Sequence, residues 1–411
     1  IRYCLLSRGL GDVYKRQVFG VRGANGVIIV TTKRGKAGKP KINFSTSFAL
    51  QMPTGLPEFA NSYEYATAYN NAQLRDGKTQ DELAFTPEAI EAYRTHSNPL
   101  IYTDTDWVDL MIKNSALQTQ HNFSISGGTE RARYFVSLGA FTQDGLFESF
   151  EDEYDSNFRY NRYNYRVNLD LDLTNSTLMS INLGGRVNDR RAPNYEGGSN
   201  IGYLFRDIYR TAPFTGAGIV DGKWIWTDPD QVGMGNIRDG LYPVYGRGYN
   251  TAAGNVLNFD FTLEQKLDFI TKGLKIRGMI AWDNTFVEND RGIEEPQSNN
   301  GSNQRRKYID PDTGLVTYQF PFDSNNQFDM YPILDWETKG GTVANGSTQR
   351  NLNYQLQLNW ARDFNKHSVT AMGLFSRQET AKGSEIPHYR EDWAFRTTYD
   401  WAGRYLSLIH I

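Results

Sequence analysis

From Tyr165 the chain reads YRVNLDLDL, which puts Tyr165, Val167, Leu169, Leu171 and Leu173 on one side of an extended backbone and Arg166, Asn168, Asp170 and Asp172 on the other. The same alternation returns from Leu352 as LNYQLQLNW, with Leu352, Tyr354, Leu356, Leu358 and Trp360 opposite Asn353, Gln355, Gln357 and Asn359. A side-chain period of two suits a strand and not a helix, so these segments predict strands with one dry and one wet face. Weaker copies fall at 42–50, 122–128, 134–140, 179–187, 257–263, 274–282, 369–375 and 395–401. Between neighbours lie short turn-forming stretches, GGTER at 127–131, LTNST at 173–177 and FNKHS at 364–368. The spacing predicts an antiparallel meander of hairpins. Two other connections, 188–255 and 287–351, are rich in Gly, Asn, Asp and Tyr and far exceed ordinary loop lengths.

Amphipathic strands build either a soluble β-sandwich or a transmembrane barrel, because both have one wet face. Segments of nine residues approach the length that crosses a bilayer at a tilt. Tyr165, Trp282 and Trp360 stand at segment ends, where interfacial aromatics belong. Short turns alternating with long loops also fit an outer-membrane barrel. The expected fold class is therefore all-β, a partial transmembrane antiparallel β-barrel. The chain contains no apolar run of the roughly 18 residues that a membrane helix needs, and an aromatic content of 14% with 38 glycines suits strands and turns.

Residues 53–118 depart from this pattern. Tyr65, Ala68, Tyr69 and Ala72 recur at helical spacing after Ser62, the expected N-cap, and Thr86 followed by Pro87 marks a second helix start. Both helices are expected within an insertion, too short and polar to span a membrane.

The net charge of −3 and the scatter of Lys and Arg provide no footprint for nucleic acid. The single cysteine, Cys4, rules out a disulfide scaffold. None of the five histidines stands at a metal-ligand spacing, and neither a nucleophile elbow nor a cysteine nucleophile is present. Asp170 with Asp172 would supply an acid/base pair but is explained as well by a wet lumen. Asp104 with Asp106, and Asp310 with Asp312, lack the further ligands of a calcium loop. No enzyme, metal or cofactor is expected.

The most specific segment is VFGVRGANGVIIVTTKRGKAGKPKINFSTSFAL, residues 18–50. Its Gly20-x-x-Gly23-x-x-Gly26 spacing matches neither a dinucleotide fingerprint nor a Walker loop, and it leads into a β-branched strand where phosphate loops open a helix. With Arg22, Ala24 and Asn25, the glycines resemble the end of the plug domain in the SusC/RagA family of TonB-dependent outer-membrane proteins. In this reading KRGKAGK is a solvated linker into the first barrel strand. Residues 103–147, with Asp106 and Trp107 before a short helix and then HNFSISGGTE and RYFVSLGAFTQDG, resemble the early barrel hairpin of the same family, and YDWAGRY at 399–405 resembles a later strand and turn.

The resemblance implies the C-terminal end of a plug at 18–40, with structural signature residues Gly20, Arg22, Gly23, Asn25 and Gly26, followed by the N-terminal part of a barrel at 41–405. Residues 1–17 and 406–411 resemble translated sequencing-adapter sequence and are expected to be foreign to the fold. The family's activity is TonB-dependent import of oligosaccharides or peptides across the outer membrane of Gram-negative bacteria. Its partners are a SusD-like surface lipoprotein, the TonB–ExbB–ExbD complex and outer-membrane lipid. Rival readings are a siderophore or vitamin receptor of the same fold, or a soluble β-rich glycan-binding module. The expected substrate contacts are the loop aromatics Trp224, Trp226, Tyr242, Tyr245 and Tyr249, whose flat apolar faces and polar edges suit sugar rings or peptide side chains. Outward Leu169 is expected to resist replacement by Arg, whereas wet-face Asn168 is expected to tolerate change.

Overall fold

A computed structural model describes residues 31–97, 99, 102–149, 154–194, 201–220, 223–224, 242–245, 247–294, 307–309, 316–318, 336–402 and 405–410. One antiparallel sheet dominates. Its main path runs in chain order through β1 (Gly38–Gln51), β2 (Ala116–Gly128), β3 (Ala132–Asp144), β4 (Arg159–Asp172), β5 (Thr177–Pro193), β6 (Tyr249–Lys266), β7 (Leu274–Glu294), β8 (Gln349–Phe364), β9 (His367–Lys382), β10 (His388–Trp401) and β11 (Tyr405–His410). Short strands Glu337–Lys339 and Thr342–Val343 add to β7. Among the described residues the sheet does not close, and β1 and β11 are its edges.

The register makes the two faces explicit. Ile42, Ile125, Val136, Val167, Leu183, Phe259, Trp282 and Leu352 pair in one unbroken row from β1 to β8. The adjacent row, Asn43, Ser124, Ser137, Arg166, Gly184, Asn258, Asp283 and Asn351, lies on the opposite face and contains no apolar side chain larger than the glycine's hydrogen. The apolar row is half-buried to exposed: Ile42 is 64% and Trp282 40% exposed, and exposed Leu138, Leu356 and Phe395 share that face. A soluble protein rarely leaves so wide a continuous apolar surface in water. Lipid is the environment that suits such a face.

Connections alternate in length. At one end the turns are 129–131, 173–176, 267–273, 365–366 and 402–404; at the other they are 52–115, 145–158, 194–248 and 295–348, with 383–387 the short exception. The strands run well beyond the alternating segments seen in sequence, up to 21 residues in β7. The expected loops 188–255 and 287–351 lose their ends to strand: β5 continues to Pro193, β6 begins at Tyr249, and β7 continues to Glu294. Tyr165 accordingly stands inside β4, opposite Leu138 and Gly185, and not at a strand end. Trp360 does sit near an end, paired with Leu274, the first residue of β7.

Helices occupy the long-connection end: α1 (Ser62–Arg75), α2 (Pro87–Thr95), α3 (Trp107–Met111), α4 (Ile201–Arg210) and α5 (Tyr242–Tyr245). The N-cap of α1 is Asn61, not Ser62. Its side chain accepts from the Glu64 amide at 2.8 Å while Glu64 reaches back to the Asn61 amide, a reciprocal box that Ser62, already helical, cannot make. Thr86 caps α2 with Pro87 at the first helical position, as expected. Ser62 instead ties α1 to the segment before α3, its hydroxyl donating to the Thr103 carbonyl at 2.7 Å and its amide to Asp104.

Candidate functional site

Two places concentrate polar and aromatic contacts: the polar face near the short-turn end, and the layer formed by the long connections. At the first, residues 32–35 lie against β3–β5. The Asn168 amide nitrogen donates to the Lys33 carbonyl at 2.6 Å and to the Thr32 hydroxyl at 3.1 Å, and Asn168 is only 2% exposed. Arg34 forms an ion pair with Asp170, which also accepts from the Ser180 hydroxyl at 2.6 Å. Gly35 is buried, and a Cβ there would come within 2.3 Å of the Tyr134 carbonyl oxygen and 2.4 Å of its nitrogen, so only glycine fits. Asp172 pairs with Arg133 at 2.8 Å.

These contacts change two expectations. The basic segment is not merely a solvated linker but is tied to the sheet through Lys33, Arg34 and Gly35. Asn168 is not a tolerant wet-face residue, because it holds that segment. Asp170 and Asp172 are both engaged with arginines. The signature residues Gly20, Arg22, Gly23, Asn25 and Gly26 lie outside the described residues.

The second place contains most of the buried apolar side chains. One cluster joins Trp107 and Met111 of α3, Phe147, Leu204 and Ile208 of α4, and Val244 of α5. The other joins Ala66, Phe85, Tyr93, Ala212 and Phe214. Asp106 caps α3, accepting from the amides of Val108 and Asp109 at 3.0 Å, and the Trp107 indole donates to the Ala212 carbonyl at 3.0 Å. Asp104 and Asp106 therefore serve as backbone anchors. Asp310 and Asp312 lie outside the described residues. Three separate connections meet here, so the layer is a folded unit and not a set of independent loops.

The expected substrate aromatics divide. Tyr245 is buried in the first cluster, its hydroxyl donates to the Glu148 carbonyl at 2.8 Å, and burial pushes its phenol upward. Its ring is a packing element. Tyr249 opens β6 opposite Pro193 and Ile293, with the Arg191 guanidinium 5.2 Å from its ring centre. Trp224 lies in a two-residue strand paired with Ile219, and Tyr242 begins α5. Trp226 is outside the described residues. Burial also pushes the Tyr93 phenol up to about 12, with smaller contributions from Tyr102 and Asp104.

Between this layer and the polar face lies a cleft of about 410 Å³. Phe147, Phe158 and Phe205 line its apolar side, and Gln143, Tyr160 and Arg190 its polar side. Gln51 bridges the neighbouring strands, donating to Gln118 at 2.7 Å and accepting from Gln143 at 3.2 Å. Sequence reading missed this cleft because its walls come from the ends of β1, β3, β4 and β5 together with α4, which only the folded register brings together.

Proteins similar in sequence to this chain include TonB-dependent receptors. Over 161 residues the chain is 32% identical to the TonB-dependent receptor SusC of Bacteroides thetaiotaomicron, covering 39% of this chain and 13% of SusC. Over 218 residues it is 26% identical to TonB-dependent receptor P3 of Formosa agariphila, covering 52% of this chain and 19% of that receptor. The chain thus spans less than a fifth of either relative. No family model matches. Among solved structures, the RagAB peptide importer in its open-open state superposes with a TM-score of 0.56 at 15% identity, over 95% of this chain and 43% of the matched chain. The open sheet is a partial barrel of that fold. In fold, and over its aligned stretches, the chain is SusC/RagA-like and corresponds to part of a TonB-dependent receptor.

Proposed function

We propose that the chain is part of an outer-membrane importer that moves oligosaccharides or peptides inward without changing their bonds, drawing energy from TonB–ExbB–ExbD and working with a SusD-like surface lipoprotein. The observation that carries this reading is the half-buried to exposed apolar row from Ile42 to Leu352 backed by a wholly polar row. Such a wall separates lipid from a wet interior. In this reading the Lys33–Gly35 anchor is where the plug joins the wall, so a pull on the plug is resisted first at Asn168 and Asp170. The long-connection layer then faces outward, towards a captured substrate and the lipoprotein, and Tyr249 at the start of β6 is its proposed aromatic contact. The relatives support the TonB-dependent part; the substrate and the lipoprotein are the proposal's own.

The test is to express the full-length protein in a Gram-negative host, fractionate the membranes, and isolate it with its bound partners. Recovery in the outer membrane with a surface lipoprotein is expected. Recovery in the soluble fraction would overturn the reading.

A further inference from the structure

The ladder between β4 and β5 carries one arginine in each of four successive pairs on the polar face: Tyr160 with Arg190, Arg162 with Asn188, Asn164 with Arg186, and Arg166 with Gly184. The arginine alternates between strands, so the guanidinium groups climb the wall in a zigzag whose rows are about 7 Å apart, two residues of strand rise. At the lower end the pattern stops at Asn168 with Asn182 and Asp170 with Ser180, where the 32–35 segment is held. At the upper end Arg190 enters the cleft under the helical layer.

These arginines differ from their neighbours in forming no ion pair among the described residues. Arg34, Arg133 and Arg191 each have a carboxylate partner. Arg166, Arg186 and Arg190 are exposed, and none forms an ion pair among the described residues; the Arg166 charge acts through space on Asp260. Arg162 lies 5.1 Å from the Phe141 ring centre. Four like charges along one wall repel each other, and a chain of anions would relieve that repulsion while accepting paired N–H donors.

The surroundings select among anions. Asn164, Asn188 and Gln143 offer both donors and acceptors suited to hydroxyls, and the Tyr160 ring, packed edge-to-face with Phe141, offers apolar surface suited to a sugar ring. Both ladder strands are hydrogen-bonded on both sides, so neither has a free edge to which an extended peptide would add. We propose that Arg190, Arg162, Arg186 and Arg166 form a track for an oligosaccharide bearing carboxylate or sulfate groups, running from the cleft down the lumen wall. This rests on the importer reading and narrows its substrate.

The test uses the purified full-length protein and calorimetric titration with four probes: a galacturonate tetrasaccharide, a sulfated galactan tetrasaccharide, a neutral galactan tetrasaccharide and tetraglutamate. An anionic saccharide is expected to bind at least tenfold more tightly than the neutral one, and whichever of the two binds identifies carboxylate or sulfate as the recognised group. R186Q and R190Q singly, and R166Q/R186Q together, should weaken that binding, about tenfold or more for the pair, while R350Q on the opposite face should not. Heat-modifiable migration establishes that each variant is folded, and the single variants remove side chains that form no ion pair. Equal binding of neutral and anionic saccharides would overturn the track while leaving import standing. So would binding of tetraglutamate alone, or variants that admit a large antibiotic without altering the anion preference, since the ladder would then be holding the plug. Absence from the outer membrane would sink the importer reading itself.

Discussion

The side-chain amide of Asn168 donates to the Lys33 carbonyl 2.6 Å away, across 135 residues of sequence, and thereby fastens residues 32–35 to β4 near its short-turn end. Its neighbour Leu169 points to the other face, paired with Tyr134 and Ile181. Adjacent residues thus answer to different environments. In the full-length protein, Leu169→Arg should impair barrel assembly by about 2–4 kcal/mol if the site lies near the bilayer midplane. Asn168→Ala should leave the barrel assembled but lose roughly 1 kcal/mol per missing hydrogen bond at the anchor. Heat-modifiable migration reads the first effect, and protease cleavage near Lys33 and Arg34 the second.

Gly35→Ala should disturb the same anchor by a different route. The added methyl would meet Tyr134 backbone atoms at 2.3–2.4 Å, and the strand ladder fixes that backbone. The expected result is faster cleavage at 33–36 with an intact barrel; an unchanged cleavage rate would contradict the close packing.

The helical layer should fail separately from the wall. Trp107 is 4% exposed and ties α3 to Ala212, and Met111 is fully buried. Trp107→Ala is expected to cost about 3–5 kcal/mol and Met111→Ala about 2–5 kcal/mol of layer stability. Proteolysis should shift to 102–115 and 201–217 while heat-modifiable migration persists.

Alkaline pH should loosen the second cluster before the barrel. The Tyr93 phenol is raised in the folded protein to about 12 from an ordinary value of 10. A folded value above the unfolded one means its contribution is complete below pH 10 and is lost as pH rises from 10 towards 12. Tyrosinate absorbance together with layer proteolysis should follow that window, and Tyr93→Phe should flatten it.

The wall was legible in sequence because bilayer and lumen impose opposite polarity on alternate residues, and YRVNLDLDL and LNYQLQLNW record this directly. The strand ends were not legible. Above the apolar belt β7 continues past Trp282 through Asn284 and Glu288, where both faces are wet and the alternation disappears. Helix α4 was missed although Leu204 and Ile208 stand one turn apart, because the surrounding Gly, Asn and Tyr dilute the signal. The arginine track escaped notice for another reason: its members belong to two strands, and only the register of β4 against β5 brings them into sequence as a ladder.

The most direct measurement is site-by-site accessibility along β4. Single cysteines placed from 165 to 171 in a full-length, otherwise cysteine-free background would carry spin labels, and collision with oxygen in lipid and with a water-soluble nickel chelate would be recorded. Strict alternation is expected, with 165, 167, 169 and 171 favouring oxygen and 166, 168 and 170 shielded from lipid. Equal access of the chelate to both faces would contradict a membrane wall.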